Sequence, residues 1–310
     1  MPELPEVETT VRDLKKEILG QKIEDVWSDF KKMIKKPKSF EELKKEIIKR
    51  KIENIERRGK NILFRLSNNK TLLIHQKLTG HLLLGKWKQK GEKWLPATNS
   101  LLEDPVNRFL HLIFWLDGGK MLALSDLRKF AKVELWDNKE LEESEEFKNL
   151  GPEPLEKSFT FGQFKEILAN QKTAKGEPRQ RRAAGSEPRQ RRGKIKQVLM
   201  DQNVIAGIGN IYSDEILWQA KVNPFKEIKR LSDKEIEKIY FAMKKILKKA
   251  IELKGESISD FRRISGEKGG FDLLRKVYRK QGEKCPRCKT IIKREKIGGR
   301  SAHFCPKCQP

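Results

Sequence analysis

Apolar residues near the start of the chain fall on one helical face: Val7, Val11, Leu14 and Ile18 follow at steps of four, three and four. Gly20 then supplies the residue type that ends helices. A second, shorter helix is predicted over Phe40–Arg50, with Ser39 and Glu42 spaced as a capping box. Beyond it the pattern changes to strands. Lys60–Leu66 and Lys70–Leu78 flank Ser67-Asn68-Asn69, and Arg108–Leu116 and Lys120–Ser125 flank Asp117-Gly118-Gly119, each a hairpin signal. A further strand is expected over Lys132–Trp136. Short strands with tight turns predict a β-sandwich or barrel, here with the first helix packed on it. Gly151-Pro152-Glu153-Pro154 reads as the exit from this domain.

From about Phe159 the period is helical. The clearest helix is predicted over Asp233–Leu253, capped by Ser232 with Glu235 and buried along Ile236, Ile239, Met243, Ile246, Leu247, Ala250 and Leu253. Before it, Lys194–Met200 and Ile211–Ala220 bracket a turn with two glycines, Gly207-Ile208-Gly209-Asn210. Glycines let a backbone approach a partner closely, and helix N-termini bind phosphate. Asn210 reads either as part of such a site or as a plain N-cap. The chain is thus expected to be α+β. An N-terminal β-sandwich with its flanking helix spans 1–150, a helical domain spans 151–280, and a cysteine hairpin spans 281–310.

Charge narrows the partner. Lys and Arg outnumber Asp and Glu by 69 to 44, a net of +25, which favours a polyanion. No run approaches the roughly 20 apolar residues of a membrane span, and the charged N-terminus does not read as a signal peptide. A soluble, cytoplasmic, monomeric protein that meets nucleic acid rather than membrane is the expectation. Residues 174–193 write one ten-residue unit twice, with seven basic and two acidic residues and nothing apolar larger than alanine. Such a stretch cannot build a core and reads as a disordered basic insertion. It either touches nucleic acid or is a neutral duplication in a permissive loop.

All four cysteines lie at the C-terminus, as Cys285-Pro-Arg-Cys288 and Cys305-Pro-Lys-Cys308. Two disulfides could use them, but paired thiolates at this spacing in an intracellular chain point to one structural Zn²⁺. A closed four-thiolate site leaves no position for a reacting water. Lys293, Arg294, Lys296 and Arg300 lie between the pairs and suit a finger laid on a phosphate backbone.

At the other end stands Met1-Pro2-Glu3-Leu4-Pro5-Glu6. A small second residue permits removal of Met1, leaving Pro2 with a free secondary amine that titrates near ~7.7. Such an amine can attack an electrophilic carbon and form an iminium, with Glu3 and Glu6 beside it as proton carriers. The plainer reading is a helix start, with Pro5 at the first position and acids complementing the dipole.

Taken together, the opening Pro2-Glu3-Leu4-Pro5-Glu6-Val7-Glu8, the Gly207-Ile208-Gly209-Asn210-Ile211-Tyr212 segment and the terminal cysteine hairpin resemble the formamidopyrimidine-DNA glycosylase family across the whole chain. The resemblance implies a helix–two-turn–helix domain and a bifunctional DNA glycosylase and AP lyase, acting on double-stranded DNA with oxidised purines or abasic sites. A sister endonuclease VIII-like enzyme for oxidised pyrimidines, and a non-catalytic zinc-finger DNA-binding protein, are the rival readings; Leu4 favours the purine branch. By the resemblance Pro2 is the nucleophile at C1′, Glu3 donates the proton that opens the sugar, and Glu6 supports it. Lys60, otherwise a solvated strand charge, assists β-elimination, while Arg300 and Asn210 grip phosphates. Leu78, Arg128 and Phe130 match the three residues that fill the gap left by an everted base, methionine being usual at the first. Phe130 could otherwise be a core aromatic. Ser265–Phe271 resembles the loop that closes over that base. Lys172 is placed at a phosphate-binding lysine beside the insertion. Phe109 stands where relatives carry a DNA-contacting histidine, and His111 matches a neighbouring one.

Overall fold

The computed structural model describes all residues except 99–100, 174–192 and 259, and only the backbone of 171–173. The duplicated basic segment therefore lies outside the described residues, Gly193 aside. Contacts divide the chain into two units, Met1–Leu150 with Lys248–Leu274, and Gly151–Leu247 with Arg275–Pro310. The chain thus returns to its first unit near the end of a long helix, where the linear reading ran one helical domain through 151–280.

In the first unit, helix α1 spans Leu4–Ile18. Its stripe Val7, Val11, Leu14 and Ile18 is buried, and Gly20 follows in the left-handed region at φ +85°. Strand β1 (Ile23–Trp27), strand β2 (Ile34–Lys36) and helix α2 (Phe40–Ile47) come next. Ser39 caps α2 by accepting from Glu42 N at 3.4 Å. That helix stops short of Arg50 because Lys49 turns to φ 63° and gives its N–H to Ile23 O at 2.6 Å.

Strands β3 (Ile52–Arg58), β4 (Asn61–Leu66), β5 (Lys70–His75), β6 (His81–Gly85), β7 (Trp87–Lys90), β8 (Lys93–Pro96), β9 (Leu110–Leu116), β10 (Met121–Ser125) and β11 (Lys132–Asp137) complete the unit. They build a four-stranded sheet, β1-β9-β10-β6, and a five-stranded sheet, β2-β11-β5-β4-β3, antiparallel except where β2 runs parallel to β11. Both expected hairpins form, β4 with β5 and β9 with β10. Phe64, Leu72, Ile74 and Val133 of one sheet meet Val26, Leu112, Phe114 and Leu124 of the other, and the α1 stripe joins the same core. On the outer face of the smaller sheet, the β7–β8 hairpin lays Trp94 edge-on against Trp27 and Trp115, at ring-centroid distances of 5.4 and 5.7 Å. Two short helices, α3 (Asn138–Glu143) and α4 (Glu145–Lys148), close the segment.

The second unit holds α5 (Phe161–Thr173), α6 (Ile195–Leu199), α7 (Asn210–Ala220), most of α8 (Asp233–Glu252) and a hairpin of β12 (Lys293–Ile297) with β13 (Arg300–Phe304). Ser232 and Glu235 close their capping box at 3.0 and 3.3 Å. The architecture is the α+β arrangement read from the sequence. Among the described residues no helix is long and apolar enough to cross a membrane.

Candidate active site and nucleic-acid interface

Helix α1 begins by folding its own acids inward. Glu3 and Glu6, 2% and 1% exposed, form a reciprocal capping box in which Glu6 Oε2 accepts from Glu3 N at 2.8 Å. The other Glu6 oxygen accepts from Glu256 N at 2.8 Å. Gly255 has φ +81°, and a Cβ there would stand 2.9 Å from Glu6 Oε1. Glu6 is therefore a clasp between the two ends of this unit. Pro2 is buried beside it. Burial first, and Lys60 with it, holds the ammonium at the head of the chain below its ordinary value, while Glu3, Glu6 and Asp260 pull it up. An amine, two carboxylates and a lysine thus share one corner of the sandwich.

Lys60 occupies the turn between β3 and β4, 7% exposed, after Gly59 at φ +58°. Arg57 braces that turn through Gly59 O at 3.1 Å and pairs with Glu8 at 2.9 Å. Burial pushes the Glu8 carboxyl up, but Arg57 and Arg12 outweigh it and hold it below its ordinary value. Lys60 is no solvated strand charge.

His75, absent from the sequence reading, lies close by at the end of β5. Its Nδ1 accepts from Lys77 N at 2.9 Å, so that nitrogen carries no proton. Burial, then Lys77, Lys60 and Lys132, push the imidazole down to about 3. Because an unfolded histidine titrates near ~6.5, the unfolded chain binds the extra proton first on acidification. Folding stability should therefore fall between about pH 6.5 and 3, by at most about 1.4 kcal/mol per pH unit from this group. Urea unfolding across that range should show a shallower decline for His75→Gln. Parallel curves would remove the assignment.

Leu78 stands in the turn after β5, half-buried. Arg128 and Phe130 are exposed on the turn after β10, Phe130 at 51%, with the Arg128 guanidinium 4.8 Å from the Phe130 ring centre. Phe130 is therefore not a core aromatic. Asp126, fully buried, anchors this turn by accepting from Ala131 N at 2.7 Å. His111 is 7% exposed, with Nδ1 2.8 Å from Asp29 Oδ1, so it ties β9 to the Asp29 turn.

In the second unit, Gln202 shapes the glycine turn, accepting from Gly207 N at 2.9 Å and donating to Ile208 O at 2.7 Å. Gly209 is the N-cap of α7, and Asn210 is its first helical residue. The plain N-cap reading of Asn210 does not hold. Its Oδ1 is buried without a hydrogen-bond partner among the described residues. Lys196 Nζ pairs with Asp214 at 2.5 Å, both fully buried, and Asp214 also accepts from His303 N at 2.9 Å. That carboxylate fixes α6 and α7 to the cysteine hairpin. Glu215, equally buried, accepts from the amides of Lys276, Val277 and Tyr278 at 2.9, 3.0 and 2.9 Å.

The four cysteine sulfurs lie within 4.8 Å of one another. Zn–S bonds of about 2.3 Å in a tetrahedron set neighbouring sulfurs about 3.8 Å apart, so the group fits Zn²⁺. Hydrogen bonds from Thr290 draw Cys288 down to about 6, whereas burial and then the neighbouring thiols push Cys308 up to about 12. Four thiolates facing one another call for a cation between them. Arg300 follows the Gly298-Gly299 turn, where both residues have positive φ, and is exposed with Lys293, Arg294 and Lys296. Lys172 lies near the end of α5, its side chain outside the described residues.

A sandwich with a buried N-terminal amine, a helix–two-turn–helix and a four-cysteine hairpin define the helix–two-turn–helix class of DNA glycosylase folds. Residues 1–133 match the formamidopyrimidine-DNA glycosylase N-terminal domain, 150–262 its H2TH domain, and 282–310 the zinc finger found in FPG and IleRS. The chain belongs to the formamidopyrimidine-DNA glycosylase family. It is 37% identical to the formamidopyrimidine-DNA glycosylase of Streptococcus mutans over 311 residues, covering 100% of this chain and 99% of that one. The Carboxydothermus hydrogenoformans enzyme is also 37% identical, over 310 residues and the full length of both. Among solved structures, Lactococcus lactis Fpg with abasic-site DNA superposes with a TM-score of 0.80 at 35% identity, covering 99% of both chains. MutM in complex with carbocyclic 8-oxo-G DNA gives 0.79 at 35% identity, again over 99% of both.

Proposed function

We propose that this protein removes oxidised purines, 8-oxoguanine and formamidopyrimidines, from double-stranded DNA and then cuts the strand at the resulting abasic site. The observation that carries the reading is the corner at the head of the chain, where Pro2, Glu3 and Glu6 are buried together beside Lys60. Loss of Met1 makes Pro2 the amine of that corner. Its nitrogen attacks C1′ as the glycosidic bond breaks, Glu3 gives the proton that opens the sugar, and the iminium draws electrons as β- and then δ-elimination expel the flanking phosphates. Lys60 assists the elimination.

Residues 1–150 carry this chemistry, 151–280 the helix–two-turn–helix together with the segment 248–274 that returns to the first unit, and 281–310 the zinc hairpin. Leu78, Arg128 and Phe130 fill the gap left by the everted base. Asn210, in the first turn of α7, and Arg300, at an exposed hairpin tip, bind phosphate; Lys172 is assigned there by resemblance. Zinc, held by Cys285, Cys288, Cys305 and Cys308, fixes the hairpin and takes no part in bond making. A net charge of +25 suits work on the chromosome, in the nucleoid. The test is cleavage of matched duplexes carrying 8-oxoguanine or oxidised thymine. Faster removal of the purine is expected; a preference for the pyrimidine would assign the chain to endonuclease VIII-like chemistry.

A further inference from the structure

We infer that His81 and Asn107 are positioning residues that join the Ser265–Phe271 loop to the turns carrying Leu78, Arg128 and Phe130, so that base capture and gap filling form one event. This rests on the roles proposed above for those segments. All the groups involved belong to the first unit.

The connection starts at the loop. Gly266 lies so close to a neighbouring turn that a Cβ there would stand 2.6 Å from the Leu101 carbonyl oxygen. Arg262, 5% exposed, directs Nε and Nη2 to Asp104 Oδ2, each at 3.0 Å. A cavity of about 490 Å³ lies between loop and turn, lined by Leu101, Asp104, Pro105, Gly266, Glu267 and Lys268. Asp104 caps the turn by accepting from Val106 N at 3.1 Å, and Asn107 N donates to Asp104 O at 2.8 Å.

Asn107 then hands the connection inward. Its Nδ2 donates to Leu101 O at 3.1 Å, which fixes Oδ1 toward His81 Nε2 at 2.9 Å. His81 therefore carries its proton on Nε2 and donates it to Asn107. Across the ring, Nδ1 carries no proton and only abuts Thr79 O at 3.2 Å, so the link from His81 to Thr79 runs through the backbone of Thr79-Gly80-His81. Thr79 Oγ1 hydrogen-bonds to Asp126 and accepts from Arg128 N at 3.1 Å. Leu78 is the residue next to Thr79. Asn107 and His81 are each 1% exposed, and Asp126 is fully buried. No solvent replaces a partner lost from such a chain, so losing the His81 donor leaves the Asn107 acceptor unmet beside the turn that carries Leu78.

The test separates positioning from mere support. In single-turnover reactions, His81→Leu is expected to slow base removal about ten-fold. Cutting of a preformed abasic site should stay within two-fold, because no base has to be captured. His81→Gln, which keeps a donor toward Asn107, is expected within three-fold of the unmodified protein. Arg262→Gln alone should also cost about ten-fold, and the double variant His81→Leu/Arg262→Gln no more than about twenty-fold. Sites that act independently would multiply to about a hundred-fold. Multiplying factors, equal loss on both substrates, or a folded His81→Gln as slow as His81→Leu would each overturn the inference. Failure of the functional reading looks different: the unmodified protein would remove no oxidised base at all.

Discussion

Residues added ahead of Pro2 will leave lesion-DNA affinity within about three-fold while removing strand cutting by at least about a thousand-fold, as losing a nucleophile does. The extension turns the Pro2 amine into an amide with no basic lone pair. It leaves the helix–two-turn–helix and the zinc hairpin untouched. Borohydride should lock the unextended protein to 8-oxoguanine DNA by reducing the iminium, and peptide mapping should find the adduct at Pro2. The extended protein should give no adduct. Glu3→Gln should abolish base removal from intact lesions yet retain some cutting of preformed abasic sites, where the base has already gone. An adduct on Lys60 with Pro2 unmodified would transfer the nucleophile's role to the lysine.

Cys288→Ser should release the metal and weaken lesion-DNA binding by roughly ten- to a hundred-fold, the worth of one charge-assisted phosphate contact. At saturating enzyme the rate of cutting should change little, because the four sulfurs leave the cation no open position. Metal content by emission spectroscopy, read beside single-turnover rates, gives both numbers. A metal-free protein that binds tightly and cuts nothing would make the hairpin part of the chemistry.

How legible all this is in the sequence depends on the range over which each feature is encoded. The α1 stripe, the two hairpins with their turns, and the cysteine pairs are local, and each is readable within a few residues. Strands β1 and β3 are not. In each, a register shift near the start sets two core residues three apart on one face, Ile23 with Val26 and Ile52 with Ile55. A bulge thus destroys the alternation that marks a strand. The site divides the same way. Pro2, Glu3 and the thiolates announce themselves by type and position. Glu6's partner lies 250 residues away, and nothing near Glu256 signals it. Glycine is an ordinary residue just after a helix, so nothing local at Gly255 tells of its close approach to Glu6. His75 looked like strand, and only its neighbours in space keep it neutral.

The clasp at Glu6 also bears on how the protein is made. Glu6 is held by the amide of Glu256, and on the same helix Asp13 pairs with Arg263 at 3.0 Å. Both partners leave the ribosome some 250 residues after the helix they hold. A growing chain can shape its sandwich early, but the amide that Glu6 Oε1 accepts from in the finished protein arrives only when synthesis is nearly over. Products of premature termination before residue 256 therefore carry Pro2 and Glu6 without the amide that seats Glu6.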